Sequence, residues 1–225
     1  MKSARILFAL TAVVFVFAGC AKDNYTQPSA TLTGQVSYQG KAVGVRSNGV
    51  QLELWQHGYQ VYSKIPVFIA QDGTFSASLF NGDYKLVLLK GNGPWVDKAD
   101  SIDVHVNGSA TIDVPVTPYY TISNETIQKN GTAIAASGKI TKVSTNAIER
   151  VSLYIGTTTI VDATNNNAVA NQTGVALGNL SQPITFNMTL SAALAARDYV
   201  YGRIGVKTSG IGEMLYTQPQ KIHLK

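Results

Sequence analysis

Few residues in this chain have the type and spacing that catalysis needs. The three histidines, His57, His105 and His223, lie far apart. None shows the His-x-x-x-His spacing that stacks two imidazoles on a helix face for a metal ion. His105 alternates with Val104 and Val106, which places it on a solvated strand face. Hydrolysis of a glycosidic bond needs two carboxylates several Å apart in a cleft. The acids that could supply them, Glu53, Asp72 and Asp83, fall at turns or on a strand face. There is no Gly-x-Ser-x-Gly elbow and no phosphate-cradling glycine loop. Gly202 and Gly205 read instead as strand glycines beneath bulky neighbours. The sequence thus offers no catalytic residue, no metal ligand and no cofactor site, and the expectation is a protein that is not an enzyme.

Two tryptophans suggest recognition instead. Trp55 falls on the polar side of an alternating stretch, beside Glu53 and His57. Trp95 lies in Lys90-Gly91-Asn92-Gly93-Pro94-Trp95-Val96-Asp97, a loop by its glycines and proline. An exposed indole stacks on the apolar C–H face of a sugar ring, and neighbouring polar groups bond its hydroxyls. Trp55, Trp95, His57 and Glu53 are therefore the candidate glycan-binding residues. The competing reading is that both indoles cover the core or a domain junction.

The surrounding elements read as strands. Val50, Leu52 and Leu54 point one way, and Gln51, Glu53, Trp55 and His57 the other, the period of two that marks a strand with one buried face. Turn signals recur at Gln39-Gly40, Asn48-Gly49, His57-Gly58, Asp72-Gly73, Asn81-Gly82 and Asn107-Gly108. Between them lie predicted strands over 31–38, 60–70, 74–79, 84–90, 101–106 and 110–116, enough with the stretch ending at Leu54 for a sandwich. Pro115 and Pro118 bracket a short stiff linker. In the second half 133–143, 147–155, 184–190, 199–206 and 214–223 read as strands, and 162–174 as a loop or frayed edge. The one helix candidate outside the N-terminal segment is 191–196, where Ser191 can cap and the alanines favour helix.

Composition agrees. Among 225 residues, 45% are hydrophobic and only 14% charged. The lone cysteine is Cys20, so stability cannot rest on disulfides within the chain. Lys2 and Arg5 precede an apolar run over 6–18. That run is too short to span a bilayer, which takes roughly 20 residues, and it reads as a secretory signal over 1–19. Removing Lys2 and Arg5 from the 18 basic side chains leaves 16 against 13 acidic ones, a net charge of +3. With no basic run, nucleic acid is not an expected partner.

Several of these strings resemble known families. Phe17-Ala18-Gly19-Cys20 is similar to a bacterial lipobox, which implies lipidation at Cys20 and a polar tether over 20–29. Lys22-Asp23 resembles the export signal that puts Bacteroidetes lipoproteins on the outer face of the cell. Gly34-Gln35-Val36, Gly40-Lys41-Ala42-Val43, Asp72-Gly73-Thr74-Phe75 and Gly82-Asp83-Tyr84 resemble the carboxypeptidase-regulatory-like, transthyretin-like sandwich over 30–117. That likeness implies that Phe75 and Tyr84 fill the core. The strand, short helical corner and Asp198-Tyr199-Val200-Tyr201 resemble the immunoglobulin and fibronectin-like corner, where the hydroxyl of Tyr199 or Tyr201 would bond back to the main chain; this assigns 118–225 to an immunoglobulin-like sandwich. Asp100-Ser101-Ile102 resembles a Bacteroidetes O-glycosylation acceptor at Ser101, though a turn into a strand explains it equally.

The chain as a whole resembles two-domain Bacteroidetes outer-membrane lipoproteins of unknown function. The fold class is all-β, with two tandem β-sandwiches, transthyretin-like and then immunoglobulin/fibronectin-like. The resemblance implies an outer-membrane, lipid-anchored, cell-surface protein that is an accessory glycan-binding or scaffolding module of a polysaccharide-uptake system. Its expected partners are the membrane through the lipid, glycan, and outer-membrane glycan-uptake proteins. The alternative is a structural or adhesive, fimbrial-like surface protein. Such proteins lose an N-terminal strand and accept a neighbour's, but no Arg or Lys lies between Asp23 and Lys41 to mark a processing site.

Overall fold

The computed structural model describes residues 26–56, 58, 63–177 and 180–225. The signal segment, Cys20, Lys22-Asp23 and His57 lie outside the described residues.

The first half folds into strands β1 (Ala30–Tyr38), β2 (Lys41–Ala42), β3 (Gln51–Gln56), β4 (Lys64–Phe68), β5 (Thr74–Leu79), β6 (Gly82–Leu88), β7 (Ser101–Val106) and β8 (Ser109–Pro115). In one sheet β1 is central, with β5 antiparallel on one side, β8 parallel on the other, and β2 pairing its far end. The other sheet runs β4–β3–β6–β7, antiparallel throughout. The alternation decides which side chains meet. Leu32, Val36, Leu52, Leu54, Leu86, Val104 and Val106 all turn inward and are buried. Each such side chain contributes about 1.5–3 kcal/mol relative to exposure. Phe75 and Tyr84 are buried with them, as the resemblance implies, and the Tyr84 hydroxyl donates to the Phe80 carbonyl at 2.8 Å.

The turn before β5 shows why its residues are what they are. Gly73 has φ of +90°, and a Cβ there would lie 2.6 Å from the Val43 carbonyl oxygen. The Asp72 carboxylate accepts from the Thr74 amide at 3.0 Å and the Thr74 hydroxyl at 2.7 Å.

The second half forms β9 (Tyr120–Asn130), β10 (Ala133–Lys142), β11 (Ile148–Gly156), β12 (Ala168–Thr173), β13 (Ile184–Thr189), β14 (Tyr199–Thr208), β15 (Leu215–Tyr216) and β16 (Gln220–His223). One sheet is β13–β10–β9. The other is β12–β11–β14, with β15 and β16 pairing successive stretches of β14. The segment 162–174 carries an edge strand, β12, after a short loop. Ser191 caps the one-turn helix Ala192–Ala195, accepting from the Leu194 amide at 3.4 Å. Gly202 and Gly205 do lie beneath bulky neighbours: a Cβ would approach Ile222 at 2.9 Å in the first case and the Tyr216 ring at 2.9 Å in the second.

The corner tyrosine is a correction. Tyr199 is 40% exposed, with the Lys221 ammonium 3.9 Å above its ring and Tyr201 edge-on at 5.8 Å. Both rings belong to the other side of β14 from Val200, Gly202, Ile204 and Val206, which alternate inward. Other tyrosine hydroxyls of this half bond the main chain: Tyr120 donates to the Asn146 carbonyl at 2.7 Å, and Tyr216 accepts from the Ala163 amide at 3.2 Å.

The two sandwiches meet through main-chain and side-chain bonds. The Tyr119 amide donates to the Pro94 carbonyl at 3.2 Å, and the Tyr216 amide to the Gly44 carbonyl at 2.9 Å. Arg46 and Glu213 pair at 2.5 Å. At the centre Arg203 is wholly buried. Its guanidinium donates to the carbonyls of Thr217 (2.7 Å), Gln71 (2.9 Å), Val45 (3.2 Å) and Val161 (3.2 Å), and its carbon lies 4.7 Å from the Tyr216 ring centre. Burial pushes its pKa down to about 10, opposed by Tyr216, Asp162 and Asp72 nearby. Leu215, from the second half, joins the first core.

Candidate ligand-binding face

Trp55 stands on the outward side of β3, the second strand of β4–β3–β6–β7. Register gives it Lys64 on β4 and Lys85 on β6 as direct neighbours, and Lys85 in turn faces Asp103 on β7. Directly opposed side chains in antiparallel strands have Cβ atoms about 5 Å apart, so these four form one row across the sheet. Ring position is fixed from below. The half-buried Trp55 donates its indole N–H to Glu53 Oε2 at 3.3 Å. Lys64 Nζ donates to Glu53 Oε1 at 2.7 Å. Glu53 is only 6% exposed. Its place in the alternation predicts a surface partner for a sugar hydroxyl; the structure instead makes it the support under the indole, with an oxygen bonded to each neighbour.

Beyond Lys85 the face carries exposed ion pairs. Lys85 and Asp103 meet at 2.5 Å, and His105 Nδ1 and Asp83 Oδ1 at 2.6 Å. An open groove of about 900 Å³ lies here, lined by Gln56, Asp83, Tyr84, Lys85, Asp103 and His105. His105 is solvated as its alternation predicts. Ser101 is exposed at the start of β7, facing Val87. Among the described residues, no group of three or more His, Cys, Asp or Glu gathers to hold a metal ion.

Trp95 is the second correction. It is 3% exposed and belongs to the first hydrophobic core. It bridges to Pro118, and a Cβ on Gly93 would fall 2.2 Å from its ring. The glycines and proline that mark the loop fold it over the indole, so Trp95 offers no face to a ligand. It covers the core where the linker leaves, which is the competing reading of its sequence. Lys64, Lys85, Asp83 and Asp103 do not read as a group in the sequence, because only strand register brings them beside Trp55. The outward alternation of Ser101, Asp103 and His105 against Ile102, Val104 and Val106 is the signal that could have found some of them.

These features define an all-β protein of two tandem sandwiches with an aromatic and charged sheet face. The chain belongs to the DUF3823 family. Residues 30–117 match the model described as a protein of unknown function (DUF3823), N-terminal domain, and residues 120–221 match the C-terminal domain of unknown function. A DUF3823 structure from Bacteroides ovatus is 41% identical, covering 87% of this chain and 100% of its own, with a TM-score of 0.82. One from Parabacteroides merdae is 34% identical over 88% of this chain and 100% of its own, with a TM-score of 0.81. A Bacteroides uniformis structure described as a candidate carbohydrate binding protein shares the fold at 20% identity, 88% and 100% coverage, and a TM-score of 0.71. No curated protein matches the chain.

Proposed function

We propose that this protein is a non-catalytic, lipid-anchored module of the outer-membrane surface that binds or scaffolds glycan for a polysaccharide-uptake system. The observation that carries the reading is Trp55, an indole fixed by Glu53 on the outward side of a sheet and flanked by charged side chains. A flat apolar ring with polar neighbours suits the two sides of a sugar ring. The Bacteroides uniformis protein described as a candidate carbohydrate binder has the same fold, and at 20% identity it lends the fold and no particular residue.

The fimbrial alternative is disfavoured by the position of β1. Strand donation needs an N-terminal strand that can leave, whereas β1 lies between β5 and β8 with Leu32 and Val36 wholly buried. Affinity electrophoresis against a panel of polysaccharides tests binding. Retardation by at least one polymer, lost in Trp55→Ala, supports the reading, and no retardation by any polymer removes it. Metabolic labelling with a fatty acid, lost in Cys20→Ser, tests the anchor, and protease shaving of intact cells tests surface exposure.

A further inference from the structure

The charge pairing on the Trp55 face narrows the ligand class, on the premise that this face binds glycan. We infer that its ligand is a neutral polysaccharide presenting adjacent free hydroxyls, and that uronate-rich or sulfated polymers are rejected. The lysines that flank the indole are both engaged. Lys64 is held by Glu53 at 2.7 Å and Lys85 by Asp103 at 2.5 Å. His105 is held by Asp83 at 2.6 Å. The most exposed members of these pairs are the acids: Asp83 is 88% exposed and Asp103 82%. An anionic sugar lying across the ring and the groove therefore meets Asp103 beside Lys85 and Asp83 beside His105. Each lysine is already neutralised by a carboxylate at its ammonium, so it offers an incoming anion little net attraction.

A neutral sugar meets no such opposition. A carboxylate can accept about four hydrogen bonds, and the described bonds from Lys85 and His105 each occupy Oδ1. Asp103 and Asp83 thus have acceptor capacity that suits paired sugar O–H donors, while the ring C–H face lies on Trp55. Because these contacts are neutral-to-charged hydrogen bonds and apolar stacking, affinity should respond weakly to salt. Long-range attraction between charges would be screened away over the same range.

The test is affinity electrophoresis of the full protein in gels holding starch, laminarin or galactomannan, and in parallel gels holding polygalacturonate or chondroitin sulfate. The wild type should be retarded by at least one neutral polymer and by neither acidic one. Its affinity should change less than about twofold between about 50 and about 500 mM NaCl. Trp55→Ala should lose about tenfold or more. The double variant Asp83→Asn/Asp103→Asn, altered only at exposed positions, should weaken neutral binding and begin to retard on the acidic polymers. Stronger retardation by polygalacturonate or chondroitin sulfate than by any neutral polymer overturns the inference while leaving glycan recognition standing. Retardation by none of the five overturns both.

Discussion

Glu53 and Arg203 are both charged side chains removed from water, one behind the ligand face and one in the domain junction. Their surroundings differ in kind. Glu53 has a cation, Lys64, and an indole N–H, so its charge is matched and one partner stays half in solvent. Arg203 is satisfied instead by four main-chain carbonyls drawn from both sandwiches. Asp162, also buried, is bonded to the amides of Thr164 and Asn165 and acts on Arg203 only through space. A matched ion pair can be lost with its partner re-solvated. A buried cross-link to carbonyls leaves several acceptors stranded when it goes. The first arrangement positions a side chain, and the second joins two domains.

The strongest way to break this contrast is Arg203→Ala. It should cost about 3–5 kcal/mol and split thermal unfolding into two transitions, read by calorimetry. Arg203→Lys should recover little, since one ammonium cannot span four carbonyls set around a planar fork. A single unchanged transition in Arg203→Ala would show that the junction does not depend on it. Gly73→Ala comes next, at about 2 kcal/mol, because the turn that feeds Gln71 to Arg203 needs a positive φ and close approach to Val43. Its urea midpoint measures this. Glu53→Ala should cost about 1 kcal/mol and shift tryptophan emission, since Trp95 stays buried while Trp55 loses its acceptor. An emission spectrum identical to wild type would deny Glu53 its supporting role.

The smallest effect is that of Asp72. Burial pushes this carboxyl up, but the hydroxyl and amide of Thr74 outweigh it, and the net shift is downward. A folded pKa below the unfolded one stabilises above the ordinary aspartate value and is lost as pH falls through the folded value. Melting temperatures followed below about pH 4 should therefore drop less steeply for Asp72→Asn than for wild type.

Most strands are legible because they obey alternation. Leu52 and Leu54, Val104 and Val106, and Val200 and Ile204 each mark their inward face. The exceptions are physical. β12 has a polar, asparagine-bearing sequence and pairs on one side only, with β11, so no hydrophobic face marks it. β9 is not marked by apolar alternation, because its exposed residues are Asn124, Thr126, Gln128, Lys129 and Asn130 and Ile127 is the one buried apolar residue after Ile122. Arg203 sits on an alternating strand where a charge should face water, and the first sandwich packing against it makes that position interior. Trp55 can be found by its type. Its lysine and aspartate neighbours depend on register across four strands, which no single segment encodes.

The place of β1 in its sheet has a mechanical consequence. Tension arriving through the residues before Ala30 would run along the strand axis. The parallel bonds to β8 and the antiparallel bonds to β5 would then be loaded side by side in shear. They would have to rupture together, whereas bonds peeled open from a free end break in succession. If Cys20 fastens the chain to a membrane as proposed, drag on a captured polymer would be borne at one of the best-braced points in the molecule.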